Sequence, residues 1–271
     1  MKSGSKQALG RAQERWDALL VECPSQELNL AEQIFAVADL FAQHSSLTGG
    51  ITDAGRTSAA RSQLVADVLS DQVRAEVSEL TQGMARDSWS EPQDFAMALE
   101  SLAVRTILAG ASRADALSQT EEQLYLAMRF LKKERALRLV LSDSDRYDAA
   151  ARVGLLDAAF PHSNDYTRAL LNRAVTKAEH RTITATLVDY IDAAADAGEH
   201  MVAAVTSAMP LKRDQEERLT QILTKTYGRE VRLHVGIDPA VIGGLRIHIG
   251  DDVIDGTIAT RITAAREAFK K

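Results

Sequence analysis

Apolar positions recur at helical spacing through most of the chain. Ile34, Val37, Ala38 and Phe41 fall at i, i+3, i+4 and i+7, which puts them on one face of a helix. Ala60, Leu64 and Val68 predict a second such face, Val73, Val77 and Leu80 a third, and Phe95, Ala98, Leu99 and Leu102 a fourth. Pro92 suits the first turn of that fourth helix, where a missing N–H leaves no bond unmade. Ala, Leu, Glu, Gln and Arg dominate up to about residue 198 while Gly and Pro are sparse, so this stretch reads as helix after helix.

After Gly198 the period changes from helical to alternating. "EHMVAAVTSAMPL" predicts a strand ended by Pro210, and "KRDQEERLTQILTKTYGRE" a helix with Leu219, Ile222 and Leu223 inward and Gly228 as its stop. Val231, Leu233, Val235 and Ile237 then alternate with Arg232, His234 and Gly236, and Leu245, Ile247 and Ile249 alternate with Arg246 and His248. Such alternation marks half-buried strands. "GDD" predicts a hairpin turn, centred on Gly250-Asp251 or on Asp251-Asp252, that returns Ile254 to the face of Ile247 and Ile249. A last helix from about Thr257 would bury Ile258 and Ile262 and end at Phe269. The reading is mainly α: two related helical-bundle units followed by a small α/β C-terminal domain.

The two bundles follow from an internal repeat. Shifted by ninety residues, "EQIFAVADLFAQHSSLTGGITDAGR" from Glu32 lies over "EQLYLAMRFLKKERALRLVLSDSDR" from Glu122. Gln33 meets Gln123, Phe35 meets Tyr125, Leu47 meets Leu137, Ile51 meets Leu141, Asp53 meets Asp143 and Arg56 meets Arg146. Without a gap the register continues to Ala59 over Ala149 and Asp67 over Asp157. Long-period self-similarity indicates one supersecondary unit used twice. The expected division is an extra bundle at residues 1–108, a second bundle at 109–198 whose first helix begins near 95, and the α/β domain at 199–271.

Composition narrows the function more than the fold. Apolar residues make up 45% and charged residues 26%, enough for a packed core, and the net charge of -6 opposes a surface built to coat nucleic acid. Cys23 is the one cysteine, so neither a disulfide framework nor a Cys-rich metal site is expected. The start "MKSGSKQALGRAQERW" has no apolar core of signal-peptide length, and no apolar run reaches the ~18–20 residues of a bilayer span, so membrane association is expected through partners alone.

Candidate chemistry is thin. Gly243-Gly244 feeds a strand instead of a helix N-terminus, and no phosphate-loop or dinucleotide fingerprint is present. His234 and His248 stand on the polar faces of two strands read as neighbours, near Asp238, Asp251, Asp252 and Asp255. Arg232 and Arg246 share that face and oppose a divalent metal, which also wants three or four fixed ligands. Trp16 and Trp89 read as core anchors. No catalytic constellation, cofactor site or metal site is expected. Helical repeats with a small α/β end describe a structural part or adaptor better than an enzyme.

The C-terminal passage resembles the delta subunit of bacterial F-type ATP synthases, the family of the oligomycin-sensitivity-conferring protein. Val205, Ser207, Ala208 and Leu211 match its V-x-S-A-x-x-L segment, and Gly228, Val231, Leu233, Ile237 and Asp238 its next block. Gly243, Gly244, Ile247, Gly250, Asp251, Val253, Ile254, Asp255, Gly256 and Thr257 match the last. On this resemblance Asp238, Gly243, Gly244, Gly250, Asp251, Asp255 and Gly256 are turns of a docking domain. Upstream, "LAVRTILAGA" from Leu102 resembles the family's first bundle helix, without its usual Tyr-Ala-Lys-Ala core, and "RALLNRAVTKAEHR" from Arg168 resembles the fifth. The extra N-terminal bundle resembles the actinobacterial form.

The resemblance implies a non-catalytic peripheral-stalk subunit that links the catalytic head to the membrane-anchored b subunit, at the cytoplasmic face of the bacterial plasma membrane. Its partners would be the N-terminal helices of the alpha subunits and the b subunit. Ala103 and Ile107 on one helix and Leu170, Leu171, Ala174 and Val175 on another are the expected alpha-binding positions. Ile258, Ile262 and Phe269 are the expected b-binding positions. The competing reading is a helical adaptor of another assembly that uses a delta-type C-terminal domain.

Overall fold

A computed structural model describes residues 1–70, 72–177, 182–241, 243–249 and 252–256. Among these, twelve helices precede or interrupt a four-stranded sheet. The chain divides into two compact units, Met1–Ala116 with Ser163–Leu170, and Leu117–His162 with Leu171–Lys271. The division runs through helix α10 (Asp165–Thr176).

The first unit holds α1 (Ser3–Glu22), α2 (Glu27–Gln43), α3 (Ser45–Thr52), α4 (Ser58–Leu69), α5 (Ala75–Arg86) and α6 (Pro92–Arg113). Its core gathers Trp16, Leu30, Ile34, Phe41, Phe95, Leu99 and Leu102. Phe95 receives Phe41 and Trp89 edge-on, with ring centroids 5.2 and 5.5 Å away, the arrangement ring quadrupoles favour. Trp16 and Trp89 are the core anchors their size suggested, and each finds a partner for its indole N–H: Trp16 donates to Thr106 Oγ1 at 2.7 Å and Trp89 to the Met84 carbonyl at 2.8 Å. Buried Glu27 pairs with Arg113, which also donates to the Leu20 carbonyl at 2.6 Å and so ties α6 to the end of α1.

Two expectations change here. α6 is, by length and composition, long and apolar enough to cross a membrane, although no single apolar run in the sequence signals it. Most of it is buried, as suits a core helix. On α4 the buried stripe is Arg61, Ser62, Val65 and Leu69, not Ala60, Leu64 and Val68. The Arg61 guanidinium turns inward because it donates to the carbonyls of Arg86 and Asp87, both at 3.1 Å, satisfying groups that the end of α5 leaves unpaired.

The second unit holds α7 (Leu117–Lys133), α8 (Arg135–Ser142), α9 (Ala149–Ala159), α11 (Ile183–Ala197), α12 (Arg213–Tyr227) and the strands β1 (His200–Ser207), β2 (Glu230–Ile237), β3 (Leu245–Ile249) and β4 (Asp252–Asp255). Helix limits repeat at an interval of ninety: α2 with α7, α3 with α8, and α5 with α10 agree at both ends. Ser25 and Asp115, at the same interval, both adopt positive φ ahead of α2 and α7. The gapless register fails at one place. Thr57 and Asp148 are the side-chain N-caps of α4 and α9, and Arg152 is the counterpart of Arg61, so the interval there is ninety-one. The extra residue falls in the connection before α9. Buried Arg152 donates to the carbonyls of Leu141 at 3.2 Å and Val175 at 2.8 Å.

The sheet order is β2-β1-β3-β4, with β1 parallel to β2 and antiparallel to β3. One face buries Ala203, Val205, Val231, Ile247 and Ile249 with Leu223 of α12. The seam of α12 is a row every fourth residue, Leu219, Leu223 and Tyr227, so Ile222 falls to its flank and is 52% exposed instead of inward. Gly228 ends α12 at φ 70°, where a Cβ would be strained. Ile254 pairs with Ile247, which sets both on one face, and Ile249 pairs with Asp252. Gly250 and Asp251, the two residues between those strands, and the expected last helix from Thr257 lie outside the described residues.

Candidate functional site

The other face of the sheet meets α7, and the chemistry of the second unit concentrates there. Glu121 lies within the buried stripe of α7, among Thr120, Leu124, Tyr125, Met128 and Leu131. A carboxylate in such a stripe needs partners. It has two: His200 Nε2 lies 2.7 Å from Glu121 Oε2, and His234 Nε2 lies 3.2 Å from Oε1. The Glu121 and His200 side chains are 2% and 1% exposed. Burial pushes the Glu121 carboxyl up, but the hydrogen bond from His234 and the charge and hydrogen bond of His200 outweigh it and hold it below the ordinary carboxylate value.

His200 reaches this position through the backbone before it. Its Nδ1 stands 3.2 Å from the Gly198 carbonyl, and a Cβ at Gly198 would lie 2.6 Å from the ring atoms Cε1 and Nδ1, so residue 198 must be glycine for the ring to fold back. Glu199 takes up the reversal at φ 58°.

Around this centre α7 contributes one residue per turn. Arg232 donates to Ser118 Oγ at 2.8 Å. Tyr125 stacks on the His234 ring at 4.1 Å and donates from its hydroxyl to the His234 carbonyl at 3.1 Å, while burial raises its phenol. Arg129 lies 5.8 Å from the Tyr125 ring centre and donates to the Val235 carbonyl at 3.3 Å. Gly236 gives it room: a Cβ there would stand 3.4 Å from the guanidinium carbon. The arrangement holds a sheet on a helix. It pairs no nucleophile with a base.

His234 and His248 are not on neighbouring strands, contrary to expectation, because β1 lies between them and Ala204 pairs with both. His234 is spent on Glu121 while His248 is exposed. No group of three or more metal-ligating residues stands ready among the described residues.

The six positions expected to bind alpha subunits are all buried. Ala103 and Ile107 lie on α6, Leu170, Leu171, Ala174 and Val175 on α10, and none exceeds 2% exposure. Of the expected turns, Gly243 and Gly244 adopt φ 61° and 85°, Asp238 Oδ1 accepts from the Ala240 N–H at 2.9 Å, and Gly256 donates to the Leu245 carbonyl at 2.9 Å. Asp255 pairs with Arg246 at 3.2 Å. Ile258, Ile262 and Phe269, like Gly250 and Asp251, lie outside the described residues.

The Glu121 centre escaped the sequence reading because its partners are 79 and 113 residues away. The available signal was a charged residue inside an apolar helical stripe, at the position where the first copy of the repeat has Ala31.

Residues 104–269 match the family described as ATP synthase delta (OSCP) subunit. The chain belongs to the ATP synthase delta (OSCP) subunit family. Among its relatives, the ATP synthase subunit delta of Beutenbergia cavernae is 36% identical over 267 residues, 98% of each chain. That of Streptomyces griseus is 34% identical over 266 residues, again 98% of each, and that of Corynebacterium urealyticum 33% over 277 residues, 99% of this chain and 100% of its own. The delta family match begins within α6, whereas these relatives run through the first hundred residues as well.

Proposed function

We propose that this chain is a non-catalytic peripheral-stalk subunit of an F-type ATP synthase. It joins the alpha subunits of the catalytic head to the membrane-anchored b subunit, at the cytoplasmic face of the bacterial plasma membrane, so that the head does not turn with the rotor. The observation that carries this reading is the delta-family match across α10, α11 and the α/β domain, together with full-length relatives of that name. A stator performs no bond chemistry and must stay bound under load, which favours two separate docking surfaces on one chain.

We place an extra bundle at residues 1–108, the family bundle at 109–198 with its first helix from near 95, and the b-facing domain at 199–271. The recurring helix limits and the paired arginines Arg61 and Arg152 support the two-copy reading. For the alpha subunits we favour α6 and α10. Ala103, Ile107, Leu170, Leu171, Ala174 and Val175 are buried, so each would act there by setting the surface of its own helix. Ile258, Ile262 and Phe269 remain the proposed b-facing positions.

The test is a binding titration of the full chain against purified catalytic head, against head lacking the alpha N-terminal segments, and against the soluble part of b. Expected are dissociation constants near nanomolar, about -12 kcal/mol, for intact head and for b, and loss of head binding without those segments. Failure to bind either partner would move the adaptor reading to the front.

A further inference from the structure

His200 presents both ring nitrogens to oxygen acceptors: Nδ1 to the Gly198 carbonyl at 3.2 Å and Nε2 to Glu121 Oε2 at 2.7 Å. A neutral imidazole carries one N–H and can satisfy one of them. Both bonds exist together when the ring is an imidazolium beside a carboxylate, and the Glu121–His200 pair then holds one proton more than a neutral ring and a carboxylate would. The pair is out of water, so an unsatisfied contact there is not repaired by solvent.

The site joins three elements: Glu121 belongs to α7, His200 to β1 and His234 to β2. Other charges around it are already engaged. On β2 Arg232 bonds Ser118 and pairs with Glu230 at 3.7 Å. On α7 Arg129 bonds a β2 carbonyl and faces Tyr125. At the end of α11 Asp196 pairs with Arg229 at 3.3 Å. The two imidazoles are the groups that act by charge on the Glu121 carboxyl.

We propose that Glu121, His200 and His234 form a proton-held latch: the sheet stays seated on α7 while the Glu121–His200 pair keeps its shared proton, and loosens when that proton passes to solvent. With the proton gone, a lone pair on one His200 nitrogen faces an oxygen, and the buried Glu121 charge loses the cation beside it. The position is particular to the second copy of the repeat, since Ala31 offers no equivalent in the first. A docking domain that must be held in one setting on its bundle, yet be able to leave it, would be served by such a contact.

The test uses the full chain with nitrogen-labelled histidine. Ring protonation of His200 is followed by NMR across pH, alongside amide hydrogen exchange of α7 and β1 corrected for intrinsic rates. The expected result is that loss of the second ring proton and a tenfold or greater loss of amide protection occur over the same pH interval. His200→Gln and Glu121→Gln should each remove that pH dependence while leaving helical content unchanged. The latch is overturned if the ring loses its proton with no change in protection, or if the pH dependence survives either substitution. The first of these outcomes is read on the unaltered protein, so it stands even if a variant does not fold.

Discussion

Helices α2 and α7 are the same length, ninety residues apart, and fill their cores from the same positions: Ile34, Ala38 and Phe41 in one, Leu124, Met128 and Leu131 in the other. They differ on the flank of that stripe. Where α2 has Ala31, Phe35 and Asp39, α7 has Glu121, Tyr125 and Arg129, and these three receive the sheet. A repeated helix can thus keep its packing while three side chains on one edge decide what attaches to it. Shape alone would let an apolar edge accept many neighbours. A buried carboxylate accepts only a neighbour that brings donors.

The comparison is tested hardest by exchanging its central residue. Ala31→Glu puts a carboxylate at a fully buried position with no histidine brought to it, and should cost about 3–5 kcal/mol. Glu121→Ala leaves the buried His200 ring and the half-buried His234 ring without their acceptor and should cost a similar amount, again about 3–5 kcal/mol. Denaturant unfolding measures both. A tolerated Ala31→Glu would mean that the flank of α2 is open enough to hydrate a charge, and the contrast between the helices would lose its basis.

A second substitution pair asks whether the copies share more than helix length. Arg61→Met and Arg152→Met each remove two bonds from a guanidinium to helix-end carbonyls while keeping an apolar stem. Each should lose about 2 kcal/mol, since hydrogen bonds from charged donors are worth ~1.5–3 kcal/mol and the methionine recovers part by packing. Equal losses support equivalence. A loss confined to one copy would make the resemblance of the arginines accidental.

Much of this was legible in advance, and what was missed has a common cause. The change of period at Gly198, the strands, the Gly228 stop and the pairing of Ile254 with Ile247 follow from local alternation and turn chemistry, which neighbouring residues carry. Arg61 and Arg152 were missed because periodicity assigns an arginine to the surface, whereas here the donors of a charged group complete the backbone of another helix. Ile222 was misplaced because two rows of a helix can both look apolar until a neighbour selects one. The strand order hid the separation of His234 from His248, since a parallel crossover put β1 between them. The Glu121 centre required three distant segments at once.

Gly198→Ala should be milder than either pair. Its Cβ would meet the His200 ring at 2.6 Å, and moving the ring lengthens its bond to Glu121. Overpacking of this kind costs about 1–3 kcal/mol, read by unfolding. If instead Gly198→Ala is neutral, the ring has another place to go and the latch geometry is not obligatory.

The smallest effect separates the two units by acid. Each has a carboxyl held low: Glu76 in the first, lowered from 4.5 to about 2 by paired hydrogen bonds from Arg74, and Glu121 in the second, lowered against its own burial. A carboxyl whose folded value is depressed stabilises fully above its unfolded value and loses that contribution as pH falls through the folded one. For Glu76 the loss therefore runs from about 4.5 down to about 2. Its partner Arg74 is 37% exposed, so water and salt screen the pair, whereas Glu121 is sealed. Acid unfolding followed by circular dichroism should be slightly flattened by Glu76→Gln, and that difference should shrink on adding salt. The change caused by Glu121→Gln should be larger and indifferent to salt. Equal salt sensitivity would place the Glu121 site in contact with solvent, and the distinction drawn between a sealed polar joint and an ordinary surface pair would fail at the residue on which it depends.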